Sequence, residues 1–157
     1  MTGLEALEHV KTVKDELKHL ECVIEELWLK LFSIKAVDYG KEPIQSGGVK
    51  DLSDQVAEFE ERLEELETKR RAREAYIDAV ESMIEQVRPA RLKMLLHLRY
   101  INGKSWEYIA DKLELSRQWL YEELRPQALE EFDKILKNGL QKFTEVYRSL
   151  QANYSII

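Results

Sequence analysis

Residues Gly103 to Leu124 read GKSWEYIADKLELSRQWLYEEL, and the reading of this stretch decides the fold. Its apolar positions form two short helical patterns separated by a tight turn. Trp106, Ile109, Ala110 and Leu113 share one side of the first pattern, at the three- and four-residue steps of an amphipathic helix. Ala110 is small where two crossing helices need to approach closely. Ser105 precedes this helix and Ser116 the next; serine caps a helix because its hydroxyl accepts from the free amides of the first turn. Asn102-Gly103 ahead of them suits a turn with positive φ. A leading helix is expected over about residues 89–100, with Leu92, Leu95, Leu96 and Leu98 supplying core. Three helices with a tight turn before the last have the layout of a helix-turn-helix, whose last helix enters the major groove of DNA.

The side chains of Ser116 to Arg125 can be placed at about 100° per residue. Leu120 and Leu124 mark the buried side; Gln118, Glu122 and Arg125 lie opposite, flanked by Trp119 and Tyr121. Arg117 occupies the first turn, where recognition helices meet base edges. Arg117 and Arg125 could grip guanine or phosphate, and Gln118 could pair with adenine. Glu122 could accept from the cytosine amino group, yet it repels phosphates. The expected DNA-contacting set is Lys104, Ser105, Lys112, Ser116, Arg117, Gln118, Trp119, Tyr121, Glu122 and Arg125. Within it Arg117, Gln118 and Tyr121 would read bases, while Lys104, Ser105, Lys112 and Arg125 would hold phosphates.

Upstream, the pattern is that of long helices. From Val10 the apolar positions are Val10, Val13, Leu17, Leu20, Ile24, Leu27, Leu31 and Ile34, alternating steps of three and four. That is a heptad seam, and a seam needs a partner to leave water. Trp28 and Phe32 are expected to widen it. The connector AVDYGKEPIQSGGVKD carries Gly40, Pro43, Gly47 and Gly48 and predicts a loop over about residues 36–50. The seam resumes at Leu52, Val56, Phe59, Leu63 and Leu66, then Ile77, Val80, Ile84 and Val87. Arg70 and Arg73 interrupt it. They are expected to form a solvated patch or to pair with Asp15 and Glu16, which lie opposite in a symmetric hairpin. The fold predicted is all-α: a long antiparallel helical hairpin over residues 1–87, closed within the chain or with a second copy, and a helix-turn-helix domain over residues 88–157. Arg125-Pro126 is expected to break the chain as Arg88-Pro89 does. A final helix is expected over about residues 126–150, followed by a fraying tail.

Charge separates these parts. The chain has a net charge of −6. Residues 1–49 sum to 6 − 9 = −3, residues 50–87 to 6 − 12 = −6, residues 88–125 to 8 − 5 = +3, and residues 126–157 to 4 − 4 = 0. The basic excess coincides with the motif, as phosphate neutralisation requires. It is small, so useful affinity is expected to come from a homodimer or from a bound partner such as RNA polymerase.

Several classes are expected to be absent. The opening MTGLEALEHV lacks a basic segment followed by an apolar core, so no signal peptide is expected. No run approaches the roughly 20 apolar residues of a membrane span. A single Cys22 suits the reducing cytoplasm of a bacterial host. His9, His19 and His97 are scattered, and His19 with Cys22, the latter read as a seam-side thiol, makes no closed metal site. No nucleophile motif or paired-carboxylate arrangement appears. An enzyme, a metal or a cofactor is not expected.

The stretch LRYINGKSWEYIADKLELSRQWLYEELRPQAL resembles the helix-turn-helix of sigma-factor region four, as found in small regulators of phages of Gram-positive bacteria. The upstream IQSGGVKDLSDQVAEFEERLEELE is similar to the connector and second helix of a streptococcal phage protein family, itself related to the ArpU and RinA types of late-gene transcription regulator. The resemblance spans Ile44 to about Phe132, and GKSWEYIA is its most specific part. It implies sequence-specific binding of double-stranded DNA and activation of phage genes, with Ser116–Arg125 as recognition helix and Ser105–Leu113 as scaffold helix. Two positions depart from the family pattern: Glu122 stands where members often carry a basic residue, and Pro126 falls where their helix usually continues. The alternative expectation is a coiled-coil adaptor that binds RNA polymerase or another regulator without reading DNA, to which Glu122 and Glu123 point.

Overall fold

The computed structural model describes residues 1–38 and 52–154. The connector expected over residues 36–50 lies mostly outside them; what is described there is the end of the first helix. Every regular element among the described residues is helical: α1 (Gly3–Asp38), α2 (Leu52–Glu85), α3 (Ala90–Leu96), α4 (Trp106–Leu113), α5 (Arg117–Trp119), α6 (Arg125–Asn138) and α7 (Leu140–Ala152). Two π-helical turns extend α3 over His97–Ile101 and α5 over Leu120–Leu124. No described helix is long and apolar enough to cross a membrane.

Helices α1 and α2 pack on each other within one chain, and the seam read from the sequence is their contact. Val10, Val13, Leu20, Ile24 and Leu31 are buried from α1, and Leu63, Leu66, Val80 and Ile84 from α2. The contact divides into two apolar clusters. Leu20, Ile24, Leu31, Leu63 and Leu66 form the distal one. The larger one joins the start of α1 and the end of α2 to α3–α7, so residues on both sides of position 87 share a core. Trp28 and Phe32 do not widen the buried stripe. They are 45% and 64% exposed, with their rings tilted against each other at 6.0 Å, because burial on α1 follows the narrow seam facing α2. Cys22 is exposed rather than seam-side, because it stands two positions from both Leu20 and Ile24 and so on the far side of α1.

Arg73 sits between the two clusters and has no solvent exposure. Its Nε donates to Glu16 Oε2 at 2.9 Å, and Nη1 donates to the carbonyls of Lys69 at 3.0 Å and Asn153 at 3.2 Å. The expected pairing across the hairpin holds, but the patch is not solvated at Arg73. Arg70 does face outward, paired with Glu67 and Glu74 on its own helix. One turn along, the Tyr76 hydroxyl donates to the Ala6 carbonyl at 2.8 Å in the core. Burial pushes the Tyr76 phenol far above its ordinary value. The start of α1 is pinned as well. Thr2 and Glu5 exchange side-chain-to-amide bonds of 3.2 and 2.8 Å in a capping box, and the Gly3 amide donates to Asp133 on α6 at 2.8 Å. A Cβ at Gly3 would lie 2.3 Å from that carboxylate oxygen, so a side chain there would push Asp133 off the amide it accepts from.

Two expectations near the C-terminus are corrected. Pro126 does not break the chain: Leu124 and Arg125 keep helical φ and ψ and the π turn runs straight into α6. Proline has no amide hydrogen to donate and its ring crowds the preceding turn; the wider π turn, closed by Arg125 N–H to Leu120 O, gives it room. The single final helix is instead two, bent at Gly139, so that Phe132 and Leu136 of α6 and Phe143 and Leu150 of α7 reach the same core. The tail as far as Tyr154 does not fray. The Asn153 carbonyl accepts from Arg73 and the Tyr154 hydroxyl meets His9 Nε2 at 3.0 Å; residues 155–157 lie outside the described set.

Removing one member of a buried ion pair strands its partner, at a cost of about 3 kcal/mol or more. Arg73→Ala is therefore expected to lower the urea unfolding free energy by about that amount, whereas Arg70→Ala, whose pairs are exposed, changes it by less than about 1 kcal/mol. Tyr76→Phe, which removes a buried hydrogen bond to a carbonyl of α1, is expected to cost about 1 kcal/mol in the same measurement.

Candidate nucleic-acid interface

Local chemistry builds the surface formed by α4, α5 and the turn between them. Ser105 Oγ accepts from the Tyr108 amide and Ser116 Oγ from the Trp119 amide, both at 3.2 Å, so both serines cap as the sequence predicts. Gly103 has φ +67°, the value that Asn102-Gly103 anticipated. The turn after α4 is a Schellman motif: Leu115 N–H to Ala110 O at 2.9 Å and Glu114 N–H to Asp111 O at 3.2 Å. Its left-handed residue is Glu114, with φ 57° and ψ 45°. Ile109, Ala110, Leu113, Leu120 and Leu124 are buried, which seats α4 and the α5 segment on the core.

The opposite side of the α5 segment faces solvent. Gln118, Glu122 and Glu123 are exposed, and so are Trp119 at 42% and Tyr121 at 52%. Arg117 is exposed too, but its Nη1 lies 2.8 Å from Glu107 Oε1 on α4. Lys112 is exposed at the end of α4, and Lys104 Nζ sits 5.0 Å above the Tyr108 ring. Arg125 departs from its expected place. The π turn adds a residue to the helical repeat, so Arg125 is half-buried instead of standing out beside Gln118 and Glu122. Its guanidinium lies 4.8 Å from the Tyr121 ring and 5.8 Å from the Trp106 ring. Trp106 is half-buried, meets Tyr121 edge-on at 5.9 Å, and carries the Arg99 guanidinium 4.6 Å from its ring centroid. Burial raises the nearby Tyr100 phenol above its ordinary value, and the Arg125 charge opposes this.

The ten expected residues thus fall into two groups. Lys104, Ser105, Lys112, Ser116, Arg117, Gln118, Trp119 and Glu122 lie on the solvent side of α4 and α5; Tyr121 is exposed there too but also lines, with the half-buried Arg125, a cleft between α5 and α1. Sequence reading missed the far wall of that cleft. Lys11, Lys14 and Lys18 stand at steps of three and four on one side of α1, a spacing visible in the sequence but masked by the acidic sum of the segment. Arg99 was counted as basic charge and not as part of a site. Among the described residues no group of three or more His, Cys, Asp or Glu side chains could hold a metal ion.

A non-glycine residue in the left-handed region costs about 1–2 kcal/mol, partly offset by the greater chain entropy of glycine. Glu114→Gly is expected to raise stability by about 0.5–1 kcal/mol, read as a higher Tm. Gly103→Ala is expected to lower it, since Ala is strained at φ +67°.

No family model, no curated protein and no solved structure matches this chain.

Proposed function

We propose that this chain is a sequence-specific DNA-binding regulator of transcription whose α4, turn and α5 act as a helix-turn-helix. The observation that carries the reading is the exposed polar side of Ser116–Glu123, held in place by the buried Leu120 and Leu124 and by the two serine caps. In this reading the N-terminal turn of α5 lies in the major groove. Arg117 and Gln118 present paired donors and acceptors to base edges, and Tyr121 offers an aromatic edge and a hydroxyl. Lys104 and Lys112, with the capping end at Ser105, face the sugar-phosphate backbone. The +3 of residues 88–125 (8 − 5) gives one copy only weak attraction for a duplex. A dimer, or a complex with RNA polymerase at a phage promoter, belongs to the same proposal. The resemblance to sigma region four and to phage late-gene regulators supports it and favours activation.

A second reading has its own observation. Arg117 is already engaged by Glu107, and Glu122 and Glu123 are exposed beside it. This mixed-charge surface fits a protein partner, such as a polymerase subunit, as an adaptor would need. A pulldown from host lysate after nuclease treatment separates the two. A partner retained in stoichiometric amount supports the adaptor; partners that leave with the DNA support the regulator.

For the regulator, fluorescence anisotropy on duplexes tiled from the flanking genome is expected to find a preferred site with salt-sensitive affinity. Arg117→Ala should weaken that site by about 1–3 kcal/mol and relax the preference, and Lys112→Ala should lower the salt slope by about 1 without altering the preference. If Arg117→Ala leaves the whole binding curve unchanged, α5 is not the reading helix.

A further inference from the structure

The cleft between α1 and the α5 segment has a volume of about 730 Å³. Five cations line it: Lys11, Lys14 and Lys18 from α1, Arg99 from the π turn after α3, and Arg125 at the end of the other π turn. The carboxylates lining it are Glu8 and Asp15, so the local sum is 5 − 2 = +3 on a chain of net charge −6. Elsewhere several cations are neutralised in pairs: Arg62 with Glu65, Arg70 with Glu67 and Glu74, Lys93 with Glu85, and Lys134 with Glu130 and Glu131. None of the five cleft cations forms an ion pair within 4.0 Å among the described residues.

How each cation is held makes the arrangement open to a ligand. Lys14 Nζ donates to the Ile101 carbonyl, and Arg99 Nη1 donates to the Lys104 carbonyl at 3.1 Å. Neither contact supplies a negative charge. Arg99 and Arg125 lie against ring faces, Trp106 and Tyr121, which fix the guanidinium planes. Arg125 Nε is buried with no hydrogen-bond partner. Lys11 and Lys18 are exposed on the open side. Like charges gathered around a cavity repel one another, and an anion with several oxygens relieves that repulsion and meets the free donors. The volume is that of a small-ligand site.

We propose that this cleft binds phosphate groups between Lys11 and Lys18 of α1 and the ring-stacked guanidinium groups of Arg99 and Arg125. The phosphate can come from the backbone of a bound duplex, which would extend the interface proposed above onto α1, or from a free phosphorylated ligand. The duplex source rests on the DNA-binding reading; the free source does not. Either occupant touches Tyr121 and Arg125, so it meets the α5 segment directly.

The test uses the full chain and the double variant Lys11→Gln/Lys18→Gln, with Lys137→Gln/Lys142→Gln as a control of equal charge change outside the cleft. Inorganic pyrophosphate is titrated by calorimetry at low salt, and duplex affinity is measured across a salt series. A free ligand predicts pyrophosphate binding that weakens at least tenfold in the cleft variant, with the duplex salt slope unchanged. Engagement of the duplex backbone predicts a slope lowered by about 1.8, at roughly 0.9 for each phosphate no longer neutralised, with or without pyrophosphate binding. The proposal is overturned when neither quantity responds, or when the control variant changes both as much as the cleft variant. Should the chain bind no duplex at all, the regulator reading fails separately and the pyrophosphate titration alone decides the cleft.

Discussion

A guanidinium with no solvent exposure holds this fold in register. Placing the Arg73 charge in the hairpin costs several kcal/mol of desolvation, and Glu16 together with the Lys69 and Asn153 carbonyls offsets part of it, Nη2 being buried with no hydrogen-bond partner. A well-packed leucine would stabilise the contact at least as well. What the arginine adds is a requirement: only one alignment of α1 against α2 brings Glu16 to it, whereas a leucine seam tolerates slippage by a heptad. The same side chain reaches past α7 to the chain's tail. One charged group thereby ties together both hairpin helices and the end of the helical base.

That alignment matters because the base of the hairpin is also the platform of the candidate interface. The start of α1 and the end of α2 share a core with α3–α7, so shifting one hairpin helix would move the floor beneath α4 and α5. Gly3 against Asp133 and Tyr76 against Ala6 lock the same junction from other directions. The hairpin is therefore more than a handle for assembly. It forms one wall of the basic cleft, and the distance from Lys11 and Lys18 to Arg99 and Arg125 is set by how α1 lies on the π turn after α3.

The two π turns also belong to this geometry. Each widens a helix where it borders the cleft, and each ends in or beside an arginine-bearing stretch whose guanidinium stacks on Trp106 or Tyr121. A regular helix would have carried Arg125 to the solvent side. The extra residue in the turn brings it inward and lets Pro126 continue the helix. The solvent side of α5 is left with Arg117, Gln118, Glu122 and Glu123, a mixed-charge surface, while unpaired positive charge collects in the cleft.

Much of this was legible in the residues because it is local. Heptad steps mark the seam, serines before apolar runs mark both caps, and Asn102-Gly103 marks the positive-φ turn; each depends on neighbours a few positions away. Leu120 and Leu124 as anchors follow from the same periodicity. The exposure of Trp28 and Phe32, the bend at Gly139 and the helix running through Pro126 were not legible, since each depends on what the segment meets after folding. Arg73 was readable as a partner for the opposite carboxylates, but not as a buried charge, because burial depends on α7 and the tail arriving above it. Sequence by itself determined the helices, their caps and the side of each that turns inward, through short-range periodicity and backbone preference. Tertiary structure alone decided which cations gather without partners, because charges on α1, on the π turn after α3 and at the start of α6 become neighbours only when a buried core sets three distant segments side by side.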